Sequence, residues 1–380
     1  MGAVAFRVLD AIGHHRVRLQ TRRATPAGSH WAAVVSPPGP AQMTDDRDDG
    51  GPMTEPMSVA HRIDGTFTQA DIDQTRNLNS LIAAYTATMP SFSTTEGLAE
   101  LRTRPSELQG PPVRGVITRE VPGPDGPIAI RQIEPPNQPR AVHLDLHGGG
   151  WCIGEATAND SRNEQLSHEI DVVVVSADYR LAPEHPFPAA PDDAEAVASW
   201  LLDESRALWG TERLTIGGGS AGAHLSALTL VRLRDLHGTE ATDRFAAAVL
   251  DAGAFDLSLT PSARASDEAL VIPRDVLDAC IRYFVPGREP ESLRDPALSP
   301  LFADLSGLPP ALFLVGELDP LLDDSLFMAA RWQAAGNRAE LGVYPESVHG
   351  FTAFPTVLAA HARARAIAFL DDALGNQQGW

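Results

Sequence analysis

From residue 141 onwards, short apolar runs alternate with segments of helical spacing. The run at residues 171–177 is continuous and rich in valine, which is typical of a strand buried on both faces of a sheet. Five other runs also predict strands, at residues 141–146, 214–217, 245–250, 311–315 and 339–344. Four helical patterns accompany them, at residues 188–204, 220–236, 322–335 and 356–374. This alternation predicts an α/β fold with a mostly parallel central sheet and helices on both of its faces.

The chain before this region divides into three parts. Residues 113–121 and 128–133 alternate around a turn-rich connection and predict an antiparallel hairpin. Helical spacing over residues 68–108 predicts two helices, and we assign residues 53–110 to an N-terminal cap. Residues 1–52 combine charge blocks with proline and glycine and predict a disordered extension. The main domain is then residues 111–380.

The connection between the strands at residues 245–250 and 311–315 is unusually long. About sixty residues separate these strands, which is too many for a simple crossover. The connection includes a predicted helix at residues 273–284. Insertions in such sheets lie over the carboxyl ends of the strands, where ligands bind. We therefore predict a second part of the cap at about residues 255–300.

Composition narrows the classes of function. The 380 residues carry a formal net charge of -20, which argues against nucleic acid and anionic membranes as partners. The chain contains no lysine, which excludes phosphate loops and Ser-x-x-Lys hydrolases. Cys152 and Cys280 are too few for a disulfide framework or a cysteine metal site. Because no apolar run reaches the length of a membrane span and no secretory signal is recognisable, the cytoplasm is the expected location.

A Gly-x-Ser-x-Gly motif, residues 218–222, lies between a predicted strand and a predicted helix. Small residues on both sides of Ser220 permit the sharp turn that exposes a nucleophile above a sheet. A glycine-rich loop that happens to contain serine would have the same residues. The assignment of Ser220 as nucleophile therefore depends on partners elsewhere in the chain.

A nucleophilic serine needs a base, and the base needs an acid that orients it, because the hydroxyl is nearly inert at neutral pH. His349 follows the last predicted strand and is the expected base, although a surface histidine is the alternative. Asp319 follows the strand before it, and Pro320 would fix the turn that holds the carboxylate. Glu317 and Asp323 are the competing acids.

Three consecutive glycines after the strand at residues 141–146 offer donors for an oxyanion. Successive glycines let backbone N–H groups point into one small volume. The N–H groups of Gly148 and Gly149, with that of Ala221, would surround the oxyanion of a tetrahedral intermediate. Alone, such a stretch is a flexible loop or a phosphate nest, and the nearby serine motif makes the oxyanion assignment more specific.

Six motifs occur in an order and spacing typical of one family. They are His147-Gly148-Gly149-Gly150-Trp151, Asp178-Tyr179-Arg180-Leu181-Ala182-Pro183-Glu184, Phe187-Pro188-Ala189-Ala190, Gly218-Gly219-Ser220-Ala221-Gly222, Asp319-Pro320-Leu321 and His349-Gly350-Phe351. Together they resemble the hormone-sensitive-lipase-like α/β-hydrolases, the bacterial family IV esterases, over residues 114–374. The resemblance implies an α/β-hydrolase fold with a helical cap. It also implies the roles of nucleophile, acid and base for Ser220, Asp319 and His349, and of oxyanion donors for Gly148, Gly149 and Ala221.

Two positions depart from the family's pattern. Many members carry aspartate before the serine and glycine after the elbow, where this chain has Gly219 and Ala223. We expect Gly219 to change the hydrogen-bond support of the elbow, and with it rate and substrate preference, rather than the class of reaction. We also predict a structural ion pair between Arg180 and Glu184, behind the oxyanion glycines.

Several side chains near these motifs are candidates for the walls of a substrate pocket. Trp151 and Cys152 adjoin the oxyanion glycines, and Phe351 adjoins the expected base. Phe284 and Phe354 are further candidates. Packing in the core is the alternative role for each of these residues.

These features predict a serine carboxylesterase that acts on short- to medium-chain carboxylic esters. Aromatic residues make up 6% of the chain and no broad apolar run suits an oil–water interface, so small esters are the expected partners. The mechanism requires no metal ion and no cofactor. An amidase or a deacetylase of aryl or sugar acetyl groups is an alternative, because the machinery is shared, and a non-catalytic binding protein of the same fold is another. The family resemblance also allows a homodimer.

Overall fold

The computed structural model describes residues 61–62, 67–103 and 112–375. The extension expected at residues 1–52 lies outside these ranges and stays a prediction. The two helices expected at residues 68–108 lie largely inside them.

Within the described residues, nine strands form one sheet. The strands are β1 (His61–Arg62), β2 (Ile117–Val121), β3 (Ile128–Ile133), β4 (Ala141–Leu146), β5 (Val172–Ala177), β6 (Leu214–Gly219), β7 (Phe245–Asp251), β8 (Ala311–Gly316) and β9 (Ala339–Tyr344). Their order is β1-β9-β8-β7-β6-β4-β5-β3-β2. The β2–β3 hairpin is antiparallel and joins β5 in antiparallel register, whereas the other neighbours among these strands are parallel. The predicted mostly parallel sheet is confirmed.

Helices alternate with the strands along the chain. In the described part of the chain they are α1 (Gln69–Thr86), α2 (Thr95–Thr103), α3 (Asp160–Ile170), α4 (Ala189–Trp209), α5 (Ala221–His237), α6 (Thr239–Thr242), α7 (Pro261–Arg264), α8 (Arg274–Phe284), α9 (Leu322–Ala334) and α10 (Val357–Gly375). Short 3-10 helices lie at Ala156–Asn159, Pro290–Arg294, Pro300–Phe302 and Phe351–Ala353.

The sheet is covered on both faces because its central strands are apolar on both. In β5, Val173 and Val175 belong to the apolar cluster that includes residues of α4, α5 and α9, whereas Val172 and Val174 belong to the cluster that includes residues of α3 and α10. Successive side chains of a strand point to opposite faces, so a continuous apolar run requires helices on each face. The 21 residues of α4, about six turns, and the helices beside it supply that cover on the first face.

Three helices lie over the loops that follow the strands. The amide of Asn79, in α1, donates to the backbone carbonyl of Glu346 at 2.7 Å, in the loop after β9. The guanidinium of Arg102, in α2, donates to the backbone carbonyl of Cys152 at 2.7 Å, after β4. In α8, the ring of Phe284 stacks on Trp151, in the same loop as Cys152, with centroids 4.5 Å apart. These helices therefore contact the loops at the carboxyl ends of β4 and β9.

The apolar pattern did not predict α3 or β1. The buried face of α3 consists of Asn163, Leu166, Ser167 and Ile170, so half of it is polar and apolar periodicity could not reveal the helix. Strand β1 has only two residues and is defined by its parallel pairing with β9.

Candidate active site

Ser220 lies in the turn between β6 and α5. Its backbone has φ 55° and ψ -119°, a strained conformation for a residue with a side chain. A Cβ atom at Gly218 would be 2.3 Å from the backbone oxygen of Leu146, and one at Gly222 would be 1.9 Å from it. Only glycine fits at these two positions of the motif, and the turn that results exposes Ser220 above the sheet.

His349 lies between Ser220 and Asp319. Its Nε2 is 3.0 Å from Ser220 Oγ, and its Nδ1 is 3.0 Å from each carboxylate oxygen of Asp319. The three residues follow β6, β9 and β8, whose carboxyl ends meet at one edge of the parallel sheet. The structure therefore brings together the residues expected to be nucleophile, base and acid.

The two competing acids bind elsewhere. Glu317 Oε2 accepts from the backbone N–H of Glu346 at 3.2 Å, and Asp323 Oδ2 accepts from that of Ser262 at 2.8 Å. Asp319 is buried, with 3% of its surface exposed, and its Oδ1 also accepts from a backbone N–H two residues further on. Asp319 is thus the carboxylate held in place to orient the imidazole.

The protonation of His349 is governed by opposing effects. Burial disfavours the imidazolium, but the charge and the hydrogen bond of Asp319 favour it, and the charge of Asp251 acts in the same direction. The result is that the pKa of His349 is raised above its ordinary value. A more basic imidazole suits a group that must take the proton of a serine hydroxyl.

The glycine loop after β4 lies against the turn of Ser220. A Cβ atom at Gly148 would be 2.9 Å from the oxygen of Gly219 and 3.6 Å from Ser220 Cβ. Among the described residues, no backbone carbonyl accepts from the N–H of Gly148 or Gly149. Ala221 begins α5, where N–H groups lack partners within the helix. Gly148 and Ala221 therefore lie beside Ser220, and Gly149 follows Gly148 in the same loop. The N–H groups of both glycines are not used by the backbone.

Two neutral rings support the glycine loop from behind. His147 Nδ1 is 2.8 Å from the oxygen of Gly148, and the hydroxyl of Tyr179 donates to the oxygen of His147 at 2.7 Å. The rings of His147 and Tyr179 stack with centroids 4.1 Å apart. Burial lowers the pKa of His147 and raises the pKa of Tyr179, so both rings are uncharged at neutral pH.

The predicted ion pair between Arg180 and Glu184 is wrong. Arg180 binds the buried carboxylate of Asp193, with Nη2 2.8 Å from Oδ1, and also binds Asp125. Glu184 instead binds Arg102, with 2.7 Å between Nη1 and Oε1. The two members of the predicted pair therefore stabilise different parts of the structure, because each has a closer partner from another element.

Arg102 connects the cap to the loop that contains the expected oxyanion donors. Besides the backbone oxygen of Cys152, it binds the backbone oxygen of Ala182 from Nη2, at 2.6 Å. These carbonyls are 50 and 80 residues further along the chain. Sequence patterns could not identify Arg102, because a guanidinium that binds distant backbone carbonyls has no characteristic motif.

The structure corrects the pocket assignments of Trp151 and Cys152. Trp151 is 3% exposed, stacks on Phe284 and donates its indole N–H to His224 at 3.1 Å. Cys152 is fully buried in a cluster with Leu98 of α2. Both side chains, and that of Phe284, pack in the core, which was the alternative.

Phe351 and Phe354, two further candidates for the pocket wall, pack against an apolar cluster. Phe351 is 3% exposed and packs against Tyr344, with ring centroids 4.9 Å apart. Phe354 packs on the same core cluster, which includes Leu358 of α10. This cluster lies on the α3 and α10 face of the sheet, because the chain after His349 turns towards α10.

Both departures from the family's pattern fit the local packing. A Cβ atom at Gly219 would have only one neighbour, the backbone oxygen of Asp251 at 3.9 Å, so nothing there requires glycine. The N–H of Ser220 donates to that same oxygen at 2.8 Å and supports the elbow through its backbone. Ala223 faces Gly253, where an added Cβ would be 2.9 Å from that of Ala223. Glycine at position 253 thus makes room for Ala223.

The described ranges contain neither a cluster of metal ligands nor a membrane-spanning helix. No group of three or more His, Cys, Asp or Glu side chains in them is placed to hold a metal ion. None of the helices described is both long and apolar enough to cross a membrane. Cys152 and Cys280 are both buried and not joined in a disulfide.

Comparisons with known proteins agree with this geometry. A family model described as the alpha/beta hydrolase fold matches residues 143–353. The carboxylesterase NlhH of Mycobacterium tuberculosis is 36% identical over 338 residues, which are 85% of this chain and 99% of that protein.

Solved structures of esterases are also similar. The ester-hydrolase EH1AB1 from the metagenome of Lake Arreo has a TM-score of 0.72 and 31% identity, over 80% of this chain and 99% of that chain. The hyperthermophilic esterase of the archaeon Pyrobaculum calidifontis has a TM-score of 0.69 and 28% identity, over 80% of this chain and 98% of that chain. The chain belongs to the α/β-hydrolase fold family and, within it, to the hormone-sensitive-lipase-like group that its motifs resemble.

Proposed function

We propose that the protein is a serine carboxylesterase that hydrolyses small carboxylic esters through an acyl-enzyme intermediate. The observation that carries this proposal is the hydrogen-bond path from Ser220 Oγ through His349 to Asp319, with 3.0 Å at each step. Such a path gives a serine hydroxyl a base that can remove its proton, and a buried carboxylate that keeps this base in the correct tautomer.

In the first half of the reaction, Ser220 Oγ attacks the ester carbonyl while His349 Nε2 takes the hydroxyl proton. The carbonyl oxygen becomes negative, and the N–H groups of Gly148, Gly149 and Ala221 are assigned to bind it. His349 then gives the proton to the leaving oxygen, so the C–O bond breaks and an alcohol departs. Asp319 stabilises the imidazolium that exists between these two proton transfers.

In the second half, water replaces the alcohol. His349 Nε2 removes a proton from the water molecule, whose oxygen attacks the acyl carbonyl in the same donor site. The second tetrahedral intermediate collapses when His349 returns the proton to Ser220 Oγ. A carboxylic acid leaves, and the free enzyme is restored.

Close packing of the cap on the glycine loop supports a preference for short- to medium-chain acyl groups. A Cβ atom at Gly150 would be 2.5 Å from Cys280 Sγ, in α8, and 3.8 Å from the ring of Phe92, just before α2. Two segments of the cap thus touch the loop directly. Such a covered site suits a small dissolved ester better than a lipid surface.

The test is hydrolysis of p-nitrophenyl esters of increasing acyl length by the wild type and by Ser220→Ala. We expect wild-type activity to peak at short acyl chains and kcat to fall by roughly 10³-fold or more in the variant, because the nucleophile is lost. Ser226→Ala is the matched control. The Ser226 hydroxyl is buried in α5, the helix that follows Ser220, and donates to the backbone oxygen of Gly222, so its loss leaves the proposed nucleophile intact.

A fluorophosphonate probe gives a second readout of the same proposal. Ser220 should be labelled in the wild type and in Ser226→Ala, and label should be absent from Ser220→Ala. A folded wild type that neither reacts with the probe nor cleaves any ester of the series would refute the proposal.

We further propose that α1, α2 and the segment at about residues 255–300 act as a cap, and that the protein works in the cytoplasm. The contacts of α1, α2 and α8 with the loops after β4 and β9 support the first of these statements. Two unpaired cysteines are usual in a reducing compartment and support the second. The family resemblance also allows a homodimer. Light scattering of the purified protein tests for it.

A further inference from the structure

A cavity with both apolar and charged side chains in its walls lies behind the nucleophile strand, on the face of the sheet covered by α3 and α10. Its volume is about 80 Å³, which is enough for a few water molecules. Its floor is formed by Gly217 and Gly219 of β6, which have no side chains to fill the space. Asp251, at the end of β7, lines the same cavity and is the register partner of Gly219 on the neighbouring strand.

Asp251 contacts both the nucleophile turn and the loop of the proposed base. Its backbone oxygen accepts from the N–H of Ser220 at 2.8 Å. Its Oδ2 accepts a hydrogen bond from the hydroxyl of Thr352, three residues after His349. Asp251 therefore links Ser220 and His349 through its backbone and its side chain, independently of Asp319.

The carboxylate of Asp251 is buried, with 4% of the residue exposed, and only one of its oxygens is engaged. Oδ1 has no hydrogen-bond partner among the described residues. The charged and titratable groups around it come from several elements: Arg162 of α3, Arg363 of α10, His143 and Asp145 of β4, and Asp319 and His349 of the loops above.

These neighbouring groups differ in their hydrogen bonds and ion pairs. Asp145 accepts from Asn159, Asn163 and Ser176, and Arg363 donates to the backbone oxygens of Thr352 and Phe354. Neither arginine forms an ion pair with a carboxylate of the described residues. Burial raises the pKa of Asp251, whereas the charge of Arg162 and the hydroxyl of Thr352 favour its ionised form. In that form its negative charge acts on His349.

We propose that Asp251 is a positioning residue of the catalytic site, which ties the turn of Ser220 to the loop of His349 and places a second negative charge behind the Asp319–His349 pair. The inference rests on the proposed esterase function. Asp251 does not contact the substrate. It acts through His349, and it lines the cavity beside Gly219.

The sign of the effect follows from the role of His349. The imidazole must be neutral to take the proton of Ser220, so kcat/KM rises as pH rises through the pKa of His349. A carboxylate behind the ring favours the imidazolium and moves this rise to higher pH. Loss of the charge should move the rise to lower pH. It should also lower the plateau, because the imidazolium formed in the transition state is then less stabilised.

The test is the pH profile of kcat/KM for Asp251→Asn, which removes the charge but keeps an oxygen that can accept from Thr352. We expect the acid limb to move to lower pH by roughly half a unit to one unit, with a several-fold lower plateau. Asp256→Asn is the matched control. Asp256 is also buried and accepts from Ser258, but it is not among the charges that act on His349, so its limb should stay in place.

A second variant covers the case in which Asp251→Asn does not fold. Thr352→Val removes the hydroxyl that favours the ionised form of Asp251, so its acid limb should move in the same direction by a smaller amount. The proposal is overturned if the acid limb of the pH profile stays at the wild-type position in every folded variant. This holds even if the melting temperature or the plateau falls, because packing alone does not move the acid limb. A wild type without esterase activity would instead contradict the proposed function.

Discussion

The two sides of Ser220 are built on different physical principles. On one side lies the donor loop, residues 147–154, and on the other lies the base loop, residues 345–352. The donor loop is held mainly by close backbone packing: a Cβ atom at Gly149 would be 2.1 Å from the backbone oxygen of Ile153. Its polar contacts come from the neutral rings of His147 and Tyr179 and from the guanidinium of Arg102. The base loop is held by charges, with Asp319 and Asp251 both acting on His349. One added methyl group should therefore damage the donor loop, whereas an isosteric loss of charge should damage the base loop.

The largest effect is expected from Asp319→Asn, which changes charge and almost nothing in shape. The amide cannot hold the proton on Nδ1 in the same way, and the imidazolium loses its counter-charge, so kcat should fall by about 10⁴-fold. Asp323→Asn is the control, since Asp323 caps the N–H of Ser262 and has no contact with His349 in the structure described. Steady-state kinetics on one short p-nitrophenyl ester measures both variants.

Two results would break this part of the comparison. If Asp319→Asn stayed within tenfold of the wild type, another carboxylate would be orienting His349, and Glu317→Gln would be the next variant to measure. If Asp323→Asn were as damaged as Asp319→Asn, the loss would come from disruption of the loop after β8 and not from the charge.

The next effect in size is expected from Gly149→Ala in the donor loop. Gly149 has φ +119°, and the added Cβ would collide with the backbone of Ile153, so the loop must shift and the oxyanion donors with it. We expect kcat to fall by roughly 10²- to 10³-fold, the scale of losing one oxyanion donor, with a smaller change in KM.

Gly126→Ala is the matched control for that variant. Gly126 has φ +134° in the β2–β3 turn, but nothing lies within 4 Å of the added Cβ. It should lose about 1 kcal/mol of unfolding free energy from backbone strain and keep its kcat. Equal losses of kcat in both variants would mean that strain, and not displacement of donors, explains Gly149→Ala.

The same contrast explains what could be predicted from the sequence. Ser220, Asp319 and His349 stand directly after strands, and the ends of neighbouring parallel strands meet in space, so their order in the chain was sufficient to bring them together. The glycines were identifiable for a similar reason, because close packing of backbones permits only one residue type.

Long-range polar contacts could not be predicted in this way. Arg180 and Glu184 are neighbours in one motif, yet each binds a partner from a different element. Asp251 carries no motif, and its relation to His349 exists only because β7 and β9 place their following loops together. Trp151 and Phe351 adjoin site residues in sequence, but their side chains turn into the core. Position along the chain predicts the backbone of a site better than the direction of its side chains.

The smallest effects are expected from two arginines of the proposed cap, Arg102 near the donor loop and Arg76 near the base loop. Arg102 binds the backbone oxygen of Cys152 in the donor loop and that of Ala182 outside it. Arg76 of α1 reaches the base loop through Glu346, with half of its side chain exposed. Arg102→Ala would leave carbonyls without a donor, at a cost of about 1–3 kcal/mol, and we expect kcat/KM to fall by about tenfold. Arg76→Ala should remain within about threefold of the wild type, because exposed ion pairs contribute little.

Arg102→Lys sharpens the test, since an ammonium cannot reproduce the fork that reaches both carbonyls, and it should resemble Arg102→Ala. If Arg76→Ala proved the more damaging variant in both kcat/KM and melting temperature, the cap would act chiefly on the base loop.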